Sequence, residues 1–286
     1  MSDQSTEKRR RKLSARDIAL SKGSTPLTML ALYDASMASL AESAGIELLL
    51  VGDSVGTVML GLETTAPVTL DQIAHHAIAV RRGAPKTHIV ADLPFMSYQV
   101  SNEQAVTRAG RLIKETGVDA VKLEGGVTMA DRIAAITRAG IPVMAHIGLL
   151  PQTAHASGGY RIQGRDTASA KQLLEDAQAV QEAGAYAMVI ELVPTELTAK
   201  ITKSVAIPTI GIGAGVGCDG QVLVASDLLG IEESFSPRFL KKYANLGETI
   251  RTAFSAFADD VHQRAYPAPE HETHLPAETI AALENE

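Results

Sequence analysis

Six ionisable side chains occupy one kind of place in this sequence. Asp53, Asp92, Lys122, Glu124, His146 and Glu191 stand at the ends of short aliphatic runs, in "LLLVGDS", "THIVADL", "DAVKLEG", "PVMAHIG" and "YAMVIEL". Any one of them could be a structural ion pair or a helix N-cap. Taken together they read as chemistry. Asp53, Asp92 and Glu124 are all oxygen donors, and three carboxylates crowded at one pole repel one another unless protons or a cation neutralise them. A hard divalent ion, Mg²⁺ first, is the simplest remedy. Serine, lysine and histidine around such an ion suit an anionic, oxygen-rich ligand. An ion with open positions can chelate a 2-oxo acid through its carboxylate and keto oxygens, which acidifies the carbon next to the ketone. Glu191, with no Lys or Arg adjacent in sequence, is then a candidate base for that proton; a salt bridge to a distant partner is the alternative.

The elements that must deliver these groups are legible as a rhythm. Eight candidate strands, at 27–33, 46–52, 87–93, 119–125, 142–148, 186–192, 208–214 and 221–227, alternate with segments of helical period. The helical segments "DASMASLAESAG", "LDQIAHHAIAVRRG", "NEQAVTRAGRLIKETG", "TMADRIAAITRAG" and "ASAKQLLEDAQAVQEAG" are amphipathic and end on a glycine expected at the helix C-terminus. Strand–helix repetition without a second region of different composition favours a closed (β/α)8 TIM barrel over an open doubly wound sheet. In such a barrel the C-terminal strand ends form the active face, which is where the six groups fall. "LSARDIALSKG" is expected as an N-terminal capping helix at the bottom of the barrel. Residues 236–267 are expected as a C-terminal helical extension packed outside it. The domain reading is a mobile tail at 1–12, one catalytic domain at 13–266 and a mobile tail at 267–286.

Composition narrows the function class. The 286 residues carry 26 Lys and Arg against 33 Asp and Glu, a net charge of −7, which argues against a nucleic-acid surface. No apolar run reaches the roughly 18 residues of a membrane span, and the basic N-terminus lacks the apolar run of a signal peptide. Cys218 is the only cysteine, so no intrachain disulfide or multi-cysteine metal site can form, and it reads as a small structural residue. The protein is therefore expected in the cytoplasm, with no nucleic-acid or membrane partner.

Other motifs carry less. "IGIGAGVGCDGQ" could cradle phosphate after strand seven or only permit tight turns and close packing. "HASGGYRIQGRD", 155–166, reads equally as a lid or an irregular surface loop. His75 and His76 are expected to pack or face water, and His271 and His274 to sit in a solvated tail.

The motifs "YDASMASLAESAGIELLLVGDSVG", "TTAPVTLDQIAHHAIAVRRG", "VADLPFMSY", "VKLEGG", "AHIGLLPQTAHASGGYRIQGR", "IELVP" and "IPTIGIGAG" with "DGQVLVASDLLGI", in this order, resemble the ketopantoate hydroxymethyltransferase family from about Leu13 to Tyr266. The resemblance implies the same barrel and transfer of a one-carbon unit from 5,10-methylenetetrahydrofolate to 3-methyl-2-oxobutanoate, giving 2-dehydropantoate on the way to pantothenate and coenzyme A. It implies one Mg²⁺ per subunit held by Asp53, Asp92 and Glu124. Contacts to the oxo acid fall to Asp53, Ser54, Asp92 and Lys122, with His146 beside the ligand and Glu191 as general base. It also implies a homo-oligomer, commonly a decamer. Thr57, Ala66 and the pair Ala225-Ser226 depart from the commonest pattern; none is an implied ligand or base. Two rivals remain: a related phosphoenolpyruvate mutase or isocitrate lyase type enzyme, disfavoured by the motif order, and a noncatalytic oxo-acid or folate binder, disfavoured by the retained Glu191.

Overall fold

In the computed structural model, residues 11–155, 158–233 and 235–285 are described. Eight parallel strands close into a barrel in sequence order: β1 Leu27–Ala31, β2 Leu48–Val51, β3 His88–Asp92, β4 Ala120–Glu124, β5 Val143–Gly148, β6 Ala187–Glu191, β7 Thr209–Ile212 and β8 Gly220–Val224. β8 pairs with β1 from Leu27↔Gly220 to Ala31↔Val224, which leaves no free sheet edge. The expected (β/α)8 TIM barrel is the fold observed.

Alternation along the strands sorts side chains into two sets. Leu49, Val51, Ile89, Ala91, Val121, Leu123, Ala145, Met188 and Ile190 face outward into the layer packed against the helices. Leu48, Leu50, Val90, Ala120, Met144, Ala187, Val189, Ile210 and Val222 fill the interior with Ile18. Two residues beyond Val90, Ala120, Met144 and Val189 on the same face come Asp92, Lys122, His146 and Glu191, and Glu124 is two beyond Lys122. The charged groups are thus the top of the interior stack.

The helices are α1 Ala15–Ala19, α2 Ala35–Ser43, α3 Val55–Val58, α4 Leu70–Gly83, α5 Asn102–Thr116, α6 Ala130–Arg138, α7 Thr167–Glu182, α8 Thr195–Ser204, α9 Ala225–Leu228, α10 Leu246–His262 and α11 Ala277–Leu283. Helix α1 closes the barrel floor as expected. Ser14 caps it by accepting from the Asp17 N–H, and Ile18, fully buried, plugs the interior from below. Burying such a side chain contributes about 2 kcal/mol.

Four expectations need correction. The eighth strand stops at Val224, and "ASDL" turns into α9 because the chain leaves the barrel there. Gly83 does not cap α4 but ends inside it: a Cβ there would lie 2.1 Å from the Ala35 carbonyl oxygen, so glycine lets α4 approach α2. Helix α8, absent from the expected set, covers β7. The C-terminal extension touches the barrel at its start, where Phe239 lies over Gly213, but its helix α10 has no buried residue, and Phe254 and Phe257 are 70% and 57% exposed. Amphipathic period defines a face without saying what covers it. Of the two segments expected as tails, residues 1–10 lie outside the described residues. The C-terminal one carries a 3-10 turn, Pro269–His271, and α11, with no buried residue in either.

Candidate active site

The strand register builds the site. Asp92 lies opposite Lys122, Glu124 opposite His146, and Gly148 opposite Glu191. The Lys122 ammonium sits 3.0 Å from Asp92 Oδ1, and Asp92 Oδ2 accepts from the Asp53 backbone N–H at 3.0 Å. His146 Nδ1 lies 3.3 Å from both Lys122 Nζ and Glu124 Oε1, while its Nε2 lies 3.2 Å from Glu191 Oε2. Asp53, Asp92, Lys122, Glu124 and His146 are all buried, and Glu191 is more open, its side chain 18% exposed.

Five of the six strand-end groups therefore form one contiguous chain of contacts from Asp92 to Glu191, and Asp53 joins it through its backbone. Ser54 stands at its edge. It precedes α3, but its side chain makes no capping bond; its hydroxyl meets the Tyr33 hydroxyl at 2.7 Å. An N-cap role is thus removed for Ser54.

Burial and mutual repulsion dominate the electrostatics. Burial, then Asp92 and Glu124, push the Asp53 carboxyl well above the usual carboxylate range, and burial also raises Asp92. For Lys122, burial works against charge but Asp92, Glu124 and Asp53 outweigh it, so its ammonium is held more firmly than usual. For His146, burial and Lys122 oppose protonation, yet the Glu124 and Glu191 carboxylates win and lift it to about 9.

Whether these residues fit a divalent cation can be tested on their unpaired atoms. Asp53 Oδ2, Asp92 Oδ1 and Glu124 Oε1 are buried without a hydrogen bond, and an unsatisfied buried carboxylate oxygen is costly. With Glu191 counted, four carboxylates against the Lys122 ammonium and a protonated His146 leave an excess of two negative charges when all are ionised. An all-oxygen set with that excess suits a hard ion such as Mg²⁺. Among the described residues no three His, Cys, Asp or Glu side chains already converge as a closed metal cage. The charges of Asp92 and Glu124 both act on Asp53, so the three carboxylates share one field. The donor set fits.

Sequence reasoning missed Tyr33, Tyr98 and Gln152, all buried here. The Tyr98 hydroxyl lies 2.8 Å from Gln152 Oε1 and 3.0 Å from the Glu124 carbonyl, and the Gln152 N–H donates to Glu124 Oε2 at 3.1 Å. Neutral polar residues carry no charge pattern that would single them out. Of the loop 155–166, residues 156 and 157 lie outside the described residues; Tyr160 is exposed, and its hydroxyl is raised by burial and by the charges of Glu191, Asp53 and Glu124. The glycine-rich stretch after β7 is explained by packing: a Cβ on Gly220 would lie 2.7 Å from the Leu27 carbonyl oxygen. His76 Nδ1 bonds the Tyr33 carbonyl at 2.8 Å, His75 is exposed, and Cys218 is a buried thiol raised by desolvation.

Residues 12–269 match the family model described as ketopantoate hydroxymethyltransferase. The chain belongs to this family. The 3-methyl-2-oxobutanoate hydroxymethyltransferase of Syntrophus aciditrophicus (strain SB) is 50% identical over 268 residues, covering 93% of this chain and 98% of the relative. That of Enterococcus faecalis (strain ATCC 700802 / V583) is 54% identical over 245 residues, covering 86% and 89%. Among solved structures, phosphonopyruvate hydrolase in complex with oxalate and Mg²⁺ aligns with a TM-score of 0.55 at 17% identity, covering 95% of this chain and 94% of the other. That likeness concerns the barrel alone. Membership makes the protein a hydroxymethyltransferase acting on a small 2-oxo acid, and sets aside both rivals. No helix among the described residues is long and apolar enough to cross a membrane.

Proposed function

We propose that the chain transfers a hydroxymethyl group from 5,10-methylenetetrahydrofolate to 3-methyl-2-oxobutanoate through an enolate, with one Mg²⁺ per subunit held by Asp53, Asp92 and Glu124. The observation that carries this reading is the set of three buried carboxylates at one pole, with Asp53 Oδ2 and Glu124 Oε1 lacking a hydrogen bond and Asp92 Oδ1 paired to the Lys122 ammonium. When bound, the ion neutralises the carboxylates and polarises the oxygens of the oxo acid.

The chain's own residues supply the rest. Lys122 cannot act as a base, because its neighbours hold its proton; it serves as a permanent positive charge facing the oxygen where negative charge develops. Asp53, Asp92 and Ser54 line the oxo acid, and His146 lies beside it. His146 also holds Glu191 by Oε2, which leaves Oε1 to remove the C3 proton. The resulting enolate carbon bonds to the folate-borne methylene as its carbon–nitrogen bonds break, and a water molecule supplies the hydroxyl oxygen while its protons and the one taken from C3 go to the product and to the nitrogens of tetrahydrofolate.

The test is proton exchange in D₂O. With Mg²⁺ and 3-methyl-2-oxobutanoate, loss of the C3 proton signal by NMR is expected without folate; a folded, metal-loaded sample showing none sinks the enolisation step. The same reading makes residues 13–266 one catalytic domain, with the terminal segments outside it. It also makes the protein a cytoplasmic homo-oligomer, a decamer as the family resemblance implies. The uncovered apolar residues of α10 support assembly, since a second copy would bury them. Light scattering of the purified chain checks the size.

A further inference from the structure

Glutamate is a long ligand with several rotatable bonds, so a buried Glu124 presents one chosen oxygen only if something fixes the other. The Gln152 backbone N–H caps Oε2 at 3.1 Å, while Oε1 makes no hydrogen bond and faces His146 Nδ1 at 3.3 Å. Gln152 is itself held by its side chain: Nε2 donates to the Leu93 carbonyl at 3.0 Å, and Oε1 meets the Tyr98 hydroxyl at 2.8 Å. That hydroxyl also accepts from the Glu124 N–H at 3.2 Å and lies 3.0 Å from the Glu124 carbonyl oxygen. Gln152 and Tyr98 are each only 1% exposed, so none of these bonds is shared with bulk water. Leu93 directly follows Asp92, Glu124 ends β4, and Gln152 lies in the 3-10 turn Pro151–Thr153 that follows β5. One side chain therefore ties three neighbouring strand ends, two of them bearing the carboxylates Asp92 and Glu124.

We infer that Gln152 and Tyr98 are positioning residues for the cation site, holding Glu124 so that Oε2 is occupied and Oε1 is presented. The inference rests on the reading of Asp53, Asp92 and Glu124 as a divalent-ion site. Partners that orient a ligand typically set metal affinity by 10- to 100-fold.

Titration of the full chain with Mg²⁺ by calorimetry, and with Mn²⁺ by EPR, tests this directly. Gln152→Met and Tyr98→Phe should each weaken ion binding by about 10- to 100-fold with the circular dichroism of the parent retained. In a Glu124→Gln background, where the oriented oxygen pair is gone, adding either substitution should weaken binding no further. Parent-like affinity in a folded Gln152→Met variant overturns the inference and leaves the cation site standing. An equal extra loss in the Glu124→Gln background also overturns it, since that marks a general fastening of loops. If the parent chain takes up neither ion, the cation reading falls and the inference with it. Should Gln152→Met fail to fold, Tyr98→Phe, which removes a single hydroxyl, decides by the same criteria.

Discussion

At the floor of the barrel, buried polar groups are paired. His88 meets the Leu13 carbonyl at 3.1 Å and the Tyr186 hydroxyl at 3.0 Å. Asp219 accepts from the Lys22 ammonium and from the Gly23 and Thr209 backbone N–H groups. Asp119 takes Arg81, Lys12 and the Ile89 N–H. At the mouth, Asp53 Oδ2 is buried without a hydrogen bond, and Asp92 Oδ1, Glu124 Oε1 and His146 Nε2 meet only charged neighbours, Lys122 Nζ at 3.0 Å, His146 Nδ1 at 3.3 Å and Glu191 Oε2 at 3.2 Å. The same interior rows run from one end to the other, so the contrast is not one of fold. Polar groups placed for stability are satisfied within the chain, and groups placed for chemistry are left for what binds there. The carboxyls follow suit: Asp219 and Asp119 are lowered overall although burial, their largest influence, opposes it, whereas Asp53 and Asp92 are raised.

The largest expected break in this contrast is functional. Glu191→Gln should cut C3-proton exchange by about 10²- to 10⁴-fold, while thermal unfolding stays close to that of the parent, because no partner in the floor network depends on it. Exchange that survives this substitution removes Glu191 as the base.

The floor should respond to acid where the mouth's resident charges do not explain it. Burial, opposed in part by Asp119, pushes His88 down to about 4 from 6.5. With one donor and one acceptor, the neutral ring matches its partners: Nδ1–H donates to Leu13 and Nε2 accepts from Tyr186. A depressed folded-state value means that the unfolded chain takes up the proton first. The stabilisation is thus complete above pH 6.5, falls as pH drops toward 4, and is fully lost below it. The loss is at most about 3 kcal/mol. Urea unfolding between pH 7 and 4, repeated on His88→Leu with Tyr186→Phe, should show that slope in the parent and a flatter one in the double variant. Equal slopes would mean that other groups carry the acid sensitivity.

A paired comparison comes next in size. Asp219→Asn removes an acceptor from a satisfied cluster and should cost about 2 kcal/mol in urea unfolding. Asp53→Asn removes a charge that burial and repulsion already oppose, so the metal-free chain should gain about 1 kcal/mol while losing ion binding and turnover. Loss of stability in both variants would erase the proposed difference between the two ends.

How far this could be read from sequence follows from what each signal encodes. All eight strands were visible because strands covered on both faces read as unbroken aliphatic runs. The six charged residues stood out because such runs make a terminal charge conspicuous. The end of β8 was misplaced because "VLVASD" keeps its apolar character into α9. Gly83 was misassigned because a glycine for close approach and a glycine for a cap are the same letter. The amphipathic face of α10 was visible, but its separation from the barrel depends on the path after Gly230, which periodicity does not encode. Tyr98 and Gln152 were silent since neither charge nor period marks a neutral residue whose role is to hold another.

The smallest effect belongs to a group that crosses the contrast, a hydrogen-bonded hydroxyl at the end where carboxylate oxygens lack such bonds. Tyr33 is 4% exposed, and its hydroxyl meets Ser54 Oγ at 2.7 Å. Burial suppresses its ionisation, partly offset by the Ser54 hydrogen bond and reinforced by the charges of Asp53 and Asp92, so the phenol remains O–H. If that proton is donated to Ser54 Oγ, the serine's own proton is free to point at the oxo acid carboxylate. Tyr33→Phe then leaves Ser54 in place but free to rotate, a loss of about 1 kcal/mol. The expected result is a KM for the oxo acid raised about fivefold, with kcat nearly unchanged, because the orientation serves binding in ground state and transition state alike. Ser54→Ala should raise KM at least as much, and adding Tyr33→Phe to it should add little. A fall in kcat at constant KM, or full additivity of the two substitutions, would place Tyr33 among the groups that act on the chemistry itself.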